Sequence, residues 1–162
     1  MKENKSRERF KPGDVFYLEL PDGRYAFGRC ISDVDIGHIV EIFNYFSDKP
    51  VFDVSITSER LFRPIPIDSW SVIIRNRRDG HWKVIKRDAD FAPTNMEDAL
   101  YVYGTGPTRK VVNYLGQIVG EVSSKEVDKI TIYASLGEGY MYYSPRSHWA
   151  VLELITRKLD SL

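Results

Sequence analysis

The fold of this chain is decided near its N-terminus, by the stretch KPGDVFYLELPDGRYAFGRCI at residues 11–31. Between residues 14 and 20 the side chains alternate, with Phe16, Leu18 and Leu20 on one face. A period of two in aromatic and aliphatic residues is typical of a half-buried strand. The sequence PDG at residues 21–23 then supplies a turn, since proline fixes φ and glycine accepts a positive φ. The stretch therefore predicts an antiparallel hairpin.

The returning strand of this hairpin has one face made of small side chains, which are Ala26, Gly28 and Cys30. Glycine inside a strand often marks a place where another layer of backbone approaches closely. We therefore expect this small face to be the packed side of the hairpin.

Further strands are predicted at residues 39–46, 51–56, 70–75 and 82–86. The Asp79-Gly80 pair predicts that the last two of these form a hairpin. Pro64 and Pro66 exclude a central strand at residues 62–67, which we expect to be an extended crossing segment.

The C-terminal half gives a mixed pattern. Residues 99–103 form an apolar stretch, residues 114–122 fit a strand or a short helix, and residues 129–134 fit a strand. Ser123 followed by Glu126 resembles a capping box, which predicts a short helix before residue 129. A final helix is predicted after Ser144-Pro145, with an apolar face at Trp149, Leu152, Ile155 and Leu159. Strands followed by a mixed region that ends in a helix indicate an α+β fold with mostly antiparallel strands.

The length of 162 residues fits one domain, with residues 1–10 as a disordered tail and residues 11–162 as the domain. Residues 11–87 form its β-rich part and residues 88–162 its mixed part. Cys30 is the single cysteine, which rules out an intramolecular disulfide and fits a reducing compartment. The charged N-terminus is unlike a secretory signal, and no apolar run reaches the ~20 residues of a membrane span. The sequence therefore predicts a cytoplasmic protein with no membrane association.

No motif for catalysis, metal or cofactor binding is present in the sequence. His38, His81 and His148 are far apart, and a single cysteine excludes the familiar cysteine-rich zinc sites. There is no nucleophile elbow and no phosphate loop. We therefore predict a protein without metal, cofactor or enzymatic activity, while an enzyme with a dispersed site stays an open alternative.

Two groups of residues are candidates for binding a macromolecule. The first combines acidic and aromatic side chains, which suits recognition of a basic protein surface: Asp33, Asp35, Tyr45, Phe46 and Asp48. The alternative interpretation is that Phe46 belongs to the core and that the aspartates cap turns.

The second group is basic and aromatic, and it resembles a surface for single-stranded nucleic acid: Arg75, Arg77, Arg78 and Trp82. The alternative is a hairpin whose tryptophans face the core and whose arginines face water. Lys and Arg total 23, as do Asp and Glu, and this neutrality makes nucleic acid the less favoured partner.

The opening hairpin, followed by the aromatic strand IVEIFNYF, resembles the immunity protein 26 family of bacterial polymorphic toxin systems. The match is carried by a Gly-Asp turn and a D-G-R-Y-A-x-G-R hairpin: Gly13, Asp14, Asp22, Gly23, Arg24, Tyr25, Ala26, Gly28 and Arg29. The resemblance covers residues 11–87. The Gly-Asp turn that opens the first strand also resembles SH3-like barrels, so an SH3-like or related twisted sheet or barrel is expected in the N-terminal half.

The family resemblance implies a protein that neutralises a cognate toxin of its own cell's competition system by stoichiometric binding. It transfers no catalytic residue, because such an inhibitor needs no chemistry of its own. A nucleic-acid-binding barrel is the alternative function.

Overall fold

The computed structural model describes residues 10–52, 59–74, 81–127 and 140–162. Within them, two β-sheets and a C-terminal helix form an α+β fold in which nearly all neighbouring strands are antiparallel, as predicted.

The first sheet has five strands in the order β4-β3-β2-β1-β5, and all its neighbours are antiparallel. This order is compatible with the SH3-like arrangement expected for the N-terminal half. Its strands are β1 (Asp14–Glu19), β2 (Tyr25–Val34), β3 (Gly37–Ser47), β4 (Ile65–Ile67) and β5 (Trp82–Arg87).

The second sheet has the order β8-β7-β6-β9, with β6 and β9 parallel and the other pairs antiparallel. Its strands are β6 (Tyr101–Tyr103), β7 (Thr108–Val112), β8 (Ile118–Ser123) and β9 (Met141–Tyr142). The α-helices of the described residues are α1 (Ser124–Val127) and α2 (His148–Asp160). The segment at 114–122, compatible with a strand or a short helix, thus contributes β8, and the short helix expected after Ser123 is confirmed as α1.

The opening hairpin is confirmed as β1 and β2, and its small face is the packed side. Phe16 pairs with Gly28 across the two strands. A Cβ atom added to Gly28 would lie 2.4 Å from the carbonyl oxygen of Glu41 and 2.6 Å from Cζ of Phe16. Only glycine therefore allows β3 and the Phe16 ring to approach β2 this closely. Gly23 in the turn has a φ of +87°, as the turn chemistry requires.

Residue 10, assigned to the disordered tail, is part of the core. The side chain of Phe10 is buried, and its ring meets those of His38 and Phe16 edge-on, with centroids 4.8 and 6.0 Å away. The remainder of the predicted tail lies outside the described residues.

The strand predicted at residues 70–75 is wrong over its described part, because Trp70–Ile74 forms a wide π-helical turn. The amide groups of Ser71 and Val72 both donate to the carbonyl oxygen of Asp68, at 3.2 and 3.3 Å. These local hydrogen bonds override the strand propensity of the valine and isoleucines. The Asp79-Gly80 hairpin, the strand at 129–134 and most of the strand at 51–56 lie outside the described residues.

The proline-bearing segment expected to be an extended crossing also contains a short strand, β4. Pro66 lies opposite Ile39 of β3. Proline has no amide hydrogen and is therefore tolerated in edge strands rather than central ones. Because β4 is an edge strand, Pro66 removes no hydrogen bond from the interior of the sheet.

The predicted C-terminal helix is confirmed, but it begins three residues after Ser144-Pro145. Ser147 is the N-cap, and its hydroxyl accepts from the amide of Ala150 at 3.2 Å. Leu152 and Ile155 are buried as expected. Trp149, predicted for the same apolar face, is instead 69% exposed, because the buried stripe of α2 is formed by residues 151, 152, 154 and 155.

One cluster of buried side chains draws on both sheets and on α2. It joins Phe16 and Trp82 of the first sheet to Tyr101 of the second and Ile155 of the helix. The Tyr101 hydroxyl donates to the carbonyl oxygen of Pro64 at 2.9 Å, so a buried polar bond also connects the two halves. The described residues contain no helix that is long and apolar enough to cross a membrane.

Candidate binding groove

A groove of about 610 Å³ lies where the start of α2 meets one end of the first sheet. We call it the histidine–tryptophan groove. Five aromatic or imidazole rings line it, those of Tyr17, Tyr25, His81, His148 and Trp149. Its charged lining residues are Glu19 and Lys83.

Strand register determines which side chains reach the groove. Tyr17 of β1 lies opposite Lys83 of β5, and Leu18 lies opposite Trp82. Because side chains alternate along a strand, Tyr17 and Lys83 share one face while Trp82 turns to the other. There Trp82 stacks on Phe16 with ring centroids 4.7 Å apart.

Two histidines form a stacked pair at the end of the groove. The rings of His81 and His148 are nearly parallel, with centroids 3.9 Å apart. The indole Nε1–H of Trp82 donates to Nδ1 of His148 at 3.0 Å, which places the proton of the neutral His148 ring on Nε2. Burial, and then the neighbouring His81, lower the pKa of His148 to about 4. His148 is therefore a neutral hydrogen-bond donor at physiological pH.

Trp149 is the most exposed tryptophan of the described residues. Its ring meets the stacked histidines edge-on, at 5.6 Å from His81 and 5.0 Å from His148. The chain thus holds a large apolar ring against two others while leaving most of it in water. Large exposed aromatic rings on a supported surface are typical of protein-binding sites.

The acidic and aromatic candidate residues do not come together in one place. Asp33 and Asp35 lie at the turn between β2 and β3, whereas Tyr45, Phe46 and Asp48 lie at or just after the far end of β3. Eight residues of β3 separate the partner of Asp33 from Phe46, which amounts to about 25 Å of strand.

The two groups also have different surroundings. Asp35 accepts a hydrogen bond from the hydroxyl of Tyr143 at 2.5 Å, so it connects the first sheet to the segment after β9. Phe46 is half-buried against the core, and the Arg24 guanidinium lies 5.4 Å from the centre of its ring. Tyr45 packs against Phe27 with centroids 5.5 Å apart.

Among the nucleic-acid candidates, Trp82 is the residue that the structure describes. Trp82 is 2% exposed and stacks inside the core, so it offers no face to a base. Arg75, Arg77 and Arg78 lie outside the described residues.

Ser69, His38 and Asp33 lie close together and resemble a catalytic triad, but their burial and contacts indicate a structural role. The Ser69 hydroxyl donates to Nδ1 of His38 at 2.5 Å, and Nε2–H of His38 donates to the carbonyl oxygen of Phe10 at 3.0 Å. Asp33 lies 3.8 Å from the same Nε2. Ser69 is only 3% exposed, and burial lowers the pKa of His38. A serine enclosed in this way does not meet a substrate, and the three groups instead attach Phe10 to the sheet.

A buried carboxylate also has a structural role that the sequence does not reveal. Glu41 accepts from Nε of Arg29 at 2.9 Å and from Nε of Arg60 at 2.7 Å. Arg60 continues to the carbonyl oxygens of Thr94 and Asn95, at 2.8 and 2.6 Å. This network ties β2 and β3 to the connection that follows β5.

The groove itself was not predicted from the sequence. The pairing of His148 with His81 across 67 positions left no local signal in the sequence. Trp149 gave no sequence signal either, because its spacing fits the apolar face of the helix and only the structure shows that it is exposed.

The molecule is thus a β-rich protein with an exposed aromatic groove, and its described residues hold no cluster of three side chains suited to a metal ion. A family model, Immunity protein 26, matches residues 11–106, which is more than half of the chain. The chain belongs to this family, and the match continues past the resemblance at 11–87 into β6.

The family name indicates an immunity protein, a toxin as partner in general terms, and a non-catalytic role. Comparisons with curated proteins and with solved structures each gave no match.

Proposed function

We propose that this protein neutralises a cognate bacterial toxin by direct, stoichiometric binding, and that the histidine–tryptophan groove is the centre of the contact. The observation that carries the choice of surface is Trp149, a tryptophan that is 69% exposed and supported by two stacked rings. Binding energy in protein interfaces is concentrated in a few such anchors. A rigid anchor also loses little side-chain entropy when the complex forms.

The rim of the proposed contact extends along the β1–β2 turn. Leu20 and Pro21 line the groove, and Arg24 follows, paired with Asp22 at 2.8 Å. Arg24 in turn lies over Phe46, and its pKa is raised by the hydrogen bond with Asp22, by the charge of Asp22 and then by that of the nearby Asp48. Phe46 and Asp48 therefore belong to the proposed rim.

The other acidic candidates lie at the opposite end of the sheet. In the proposal Asp33 and Asp35 act at a distance, through the electrostatic field that steers a basic toxin surface toward the complex. The half-buried Tyr45, which packs against Phe27, supports the rim without touching the partner.

The direct test first identifies a toxin gene next to the gene of this chain and then produces that toxin for binding and co-expression with this protein. We expect the two proteins to co-purify as a 1:1 complex by light scattering and the toxin's cellular toxicity to disappear on co-expression. Protection that requires equimolar amounts supports binding. Full protection at a small fraction of equimolar amounts contradicts it, since that result is typical of an enzyme.

The choice of surface is tested with two tryptophan substitutions. Trp149→Ala is expected to weaken toxin binding at least about 30-fold, as loss of an interface anchor does. Trp70→Ala is the matched control, since Trp70 is 58% exposed and lies outside the groove. Equal losses from both substitutions contradict the assignment of the groove. Circular dichroism and the unfolding midpoint verify that both variants fold.

The proposal places this interaction in the cytoplasm of the producing cell. Cell fractionation followed by immunoblotting tests the compartment. Recovery of the protein mainly in the periplasm or culture medium contradicts it.

A further inference from the structure

Arg146, which lies two residues before α2, is a half-buried cation without a counter-charge in the described part of the chain. We propose that Arg146 is a further contact residue for the toxin, and that its guanidinium pairs with the carboxylate of an aspartate or glutamate of that partner. This inference rests on the proposed function and deepens it by naming a residue that does not line the histidine–tryptophan groove, together with the chemistry that it recognises.

The main chain of Arg146 is held against the edge of the first sheet. Its amide donates to the carbonyl oxygen of Pro66 at 3.0 Å, and its carbonyl oxygen accepts from the amide of Asp68 at 2.9 Å. These two hydrogen bonds form a parallel bridge between Arg146 and Ile67 of β4. The position of Arg146 is therefore fixed by backbone hydrogen bonds, and its side chain is not needed to hold it there.

The side chain of Arg146, by contrast, has no polar partner within the described residues. Its Nε–H is enclosed and meets no hydrogen-bond acceptor there. Burial lowers the pKa of the guanidinium, and no carboxylate in the described part of the chain offsets this effect. Desolvating a charge without a well-placed partner is unfavourable, so arginine is seldom buried unpaired. The protein without its toxin therefore keeps Arg146 at a loss of stability.

Other half-buried arginines of the chain have the partners that Arg146 lacks. Arg29 and Arg60 share the carboxylate of Glu41, with N–O distances of 2.7 Å each. Arg60 also donates to two main-chain carbonyl oxygens. Polar groups that a folded protein leaves unsatisfied are expected at functional sites, where a partner supplies the missing bond. Arg146 fits this description, whereas Arg29 and Arg60 are structural.

A carboxylate is the group that complements a guanidinium best. It accepts two parallel N–H donors at once, and such charge-assisted hydrogen bonds are about twice as strong as neutral ones. Arginine and tryptophan are also enriched among the residues that dominate binding energy in protein interfaces. Arg146 precedes Trp149 by three positions, so their Cα atoms are at most about 11 Å apart. One protein partner can therefore contact both residues.

The first test measures stability and toxin binding of the same variant. Arg146→Met keeps an unbranched apolar side chain and removes the charge. Its unfolding midpoint should stay unchanged or rise, because the uncompensated charge is gone. Its affinity for the toxin, once that toxin has been identified, should fall at least about 30-fold in calorimetry, as the loss of one member of a buried charge pair predicts.

Two arginines provide matched controls for this substitution. Arg60→Met makes the same change at a paired arginine and should lower the unfolding midpoint. Arg109→Met makes it in β7, where the guanidinium donates to the carbonyl oxygen of Gly106, and should leave the toxin affinity unchanged.

A double-mutant cycle then identifies the partner group. Aspartates and glutamates on the surface of the toxin are replaced in turn by asparagine and glutamine, and each variant is measured with wild-type protein and with Arg146→Met. One carboxylate should matter for binding to the wild type and lose its effect with Arg146→Met. Arg146→Lys should retain part of the affinity, because it keeps the charge without the two parallel donors.

Several outcomes would overturn the inference. An unfolding midpoint of Arg146→Met that falls as far as that of Arg60→Met would assign the guanidinium an internal partner. Unchanged toxin affinity of Arg146→Met, in a complex that Trp149→Ala still weakens, would remove Arg146 from the contact while the proposed function stands. A loss of affinity that is coupled to no carboxylate of the toxin would contradict the ion pair. A wild-type protein that does not bind the toxin contradicts the proposed function, and the inference falls with it.

Discussion

Gly28→Ala is expected to destabilise the protein strongly, although it adds one methyl group. The new Cβ would lie 2.4 Å from the backbone oxygen of Glu41, whereas an ordinary contact begins at 3.4 Å. Strand β3 would therefore have to move by at least 1.0 Å, the difference between those two distances. The ring of Phe16, held by its stacking on Trp82, blocks the other direction.

The magnitude follows from the two simultaneous collisions. Overpacking by one methyl group costs about 1–3 kcal/mol, and a clash with both backbone and a stacked ring belongs at the upper end. A loss of about 3 kcal/mol lowers the unfolding midpoint of a protein of this size by about 6–12 °C. Urea unfolding followed by circular dichroism measures the free energy of unfolding directly.

Gly120→Ala is the matched control, because a Cβ added to Gly120 in β8 meets nothing within 4 Å. It should be neutral or stabilise the protein by up to about 1 kcal/mol through the unfolded chain. If Gly28→Ala is as well tolerated as Gly120→Ala, the close approach of β2 and β3 at this position is refuted.

Three further predictions concern the buried polar groups and the domain. Glu41→Gln should lower the free energy of unfolding by about 3 kcal/mol, because Arg29 and Arg60 then lose their buried carboxylate. Glu121→Gln, in an exposed ion pair, is the control and should lower it by less than about 0.5 kcal/mol. Urea unfolding measures both values. The folded-state pKa of His148 is depressed to about 4, so the unfolded chain binds more protons than the folded protein below pH 6.5. The free energy of unfolding therefore decreases as the pH is lowered. Between pH 7.5 and 5 this contributes about 1–2 kcal/mol of destabilisation, which a His148→Gln variant should not show in the same titration. Finally, a single domain predicts that tryptophan fluorescence and circular dichroism report one coincident unfolding transition, and two separate transitions would argue for two domains.

Local patterns were sufficient where a residue's role depends on its immediate neighbours. The alternation around Phe16 and the PDG turn predicted the β1–β2 hairpin, and the row of small residues ending at Cys30 predicted its packed face. The same short-range pattern supported the family resemblance that the match at residues 11–106 confirms. The single-domain boundary and the macromolecule-binding residues stay predictions.

The differences from the predictions arose where specific hydrogen bonds outweigh the composition of a segment. Residues 70–74 have the composition of a strand, but hydrogen bonds to the Asp68 carbonyl close them into a wide turn. The role of Glu41 was not predicted, because its two arginine partners lie 12 and 19 positions away and are brought to it by the strand register.

By itself, the sequence of this protein determined the opening hairpin with its tight turn and the family, because these depend on periodicity and on the backbone preferences of proline and glycine. Only the tertiary structure decided where the groove lies. His81 and His148 are adjacent because β5 and the start of α2 meet, and Trp149 is exposed because α2 buries the stripe beside it. Packing of distant elements is set by the whole core, and no local pattern contains that information.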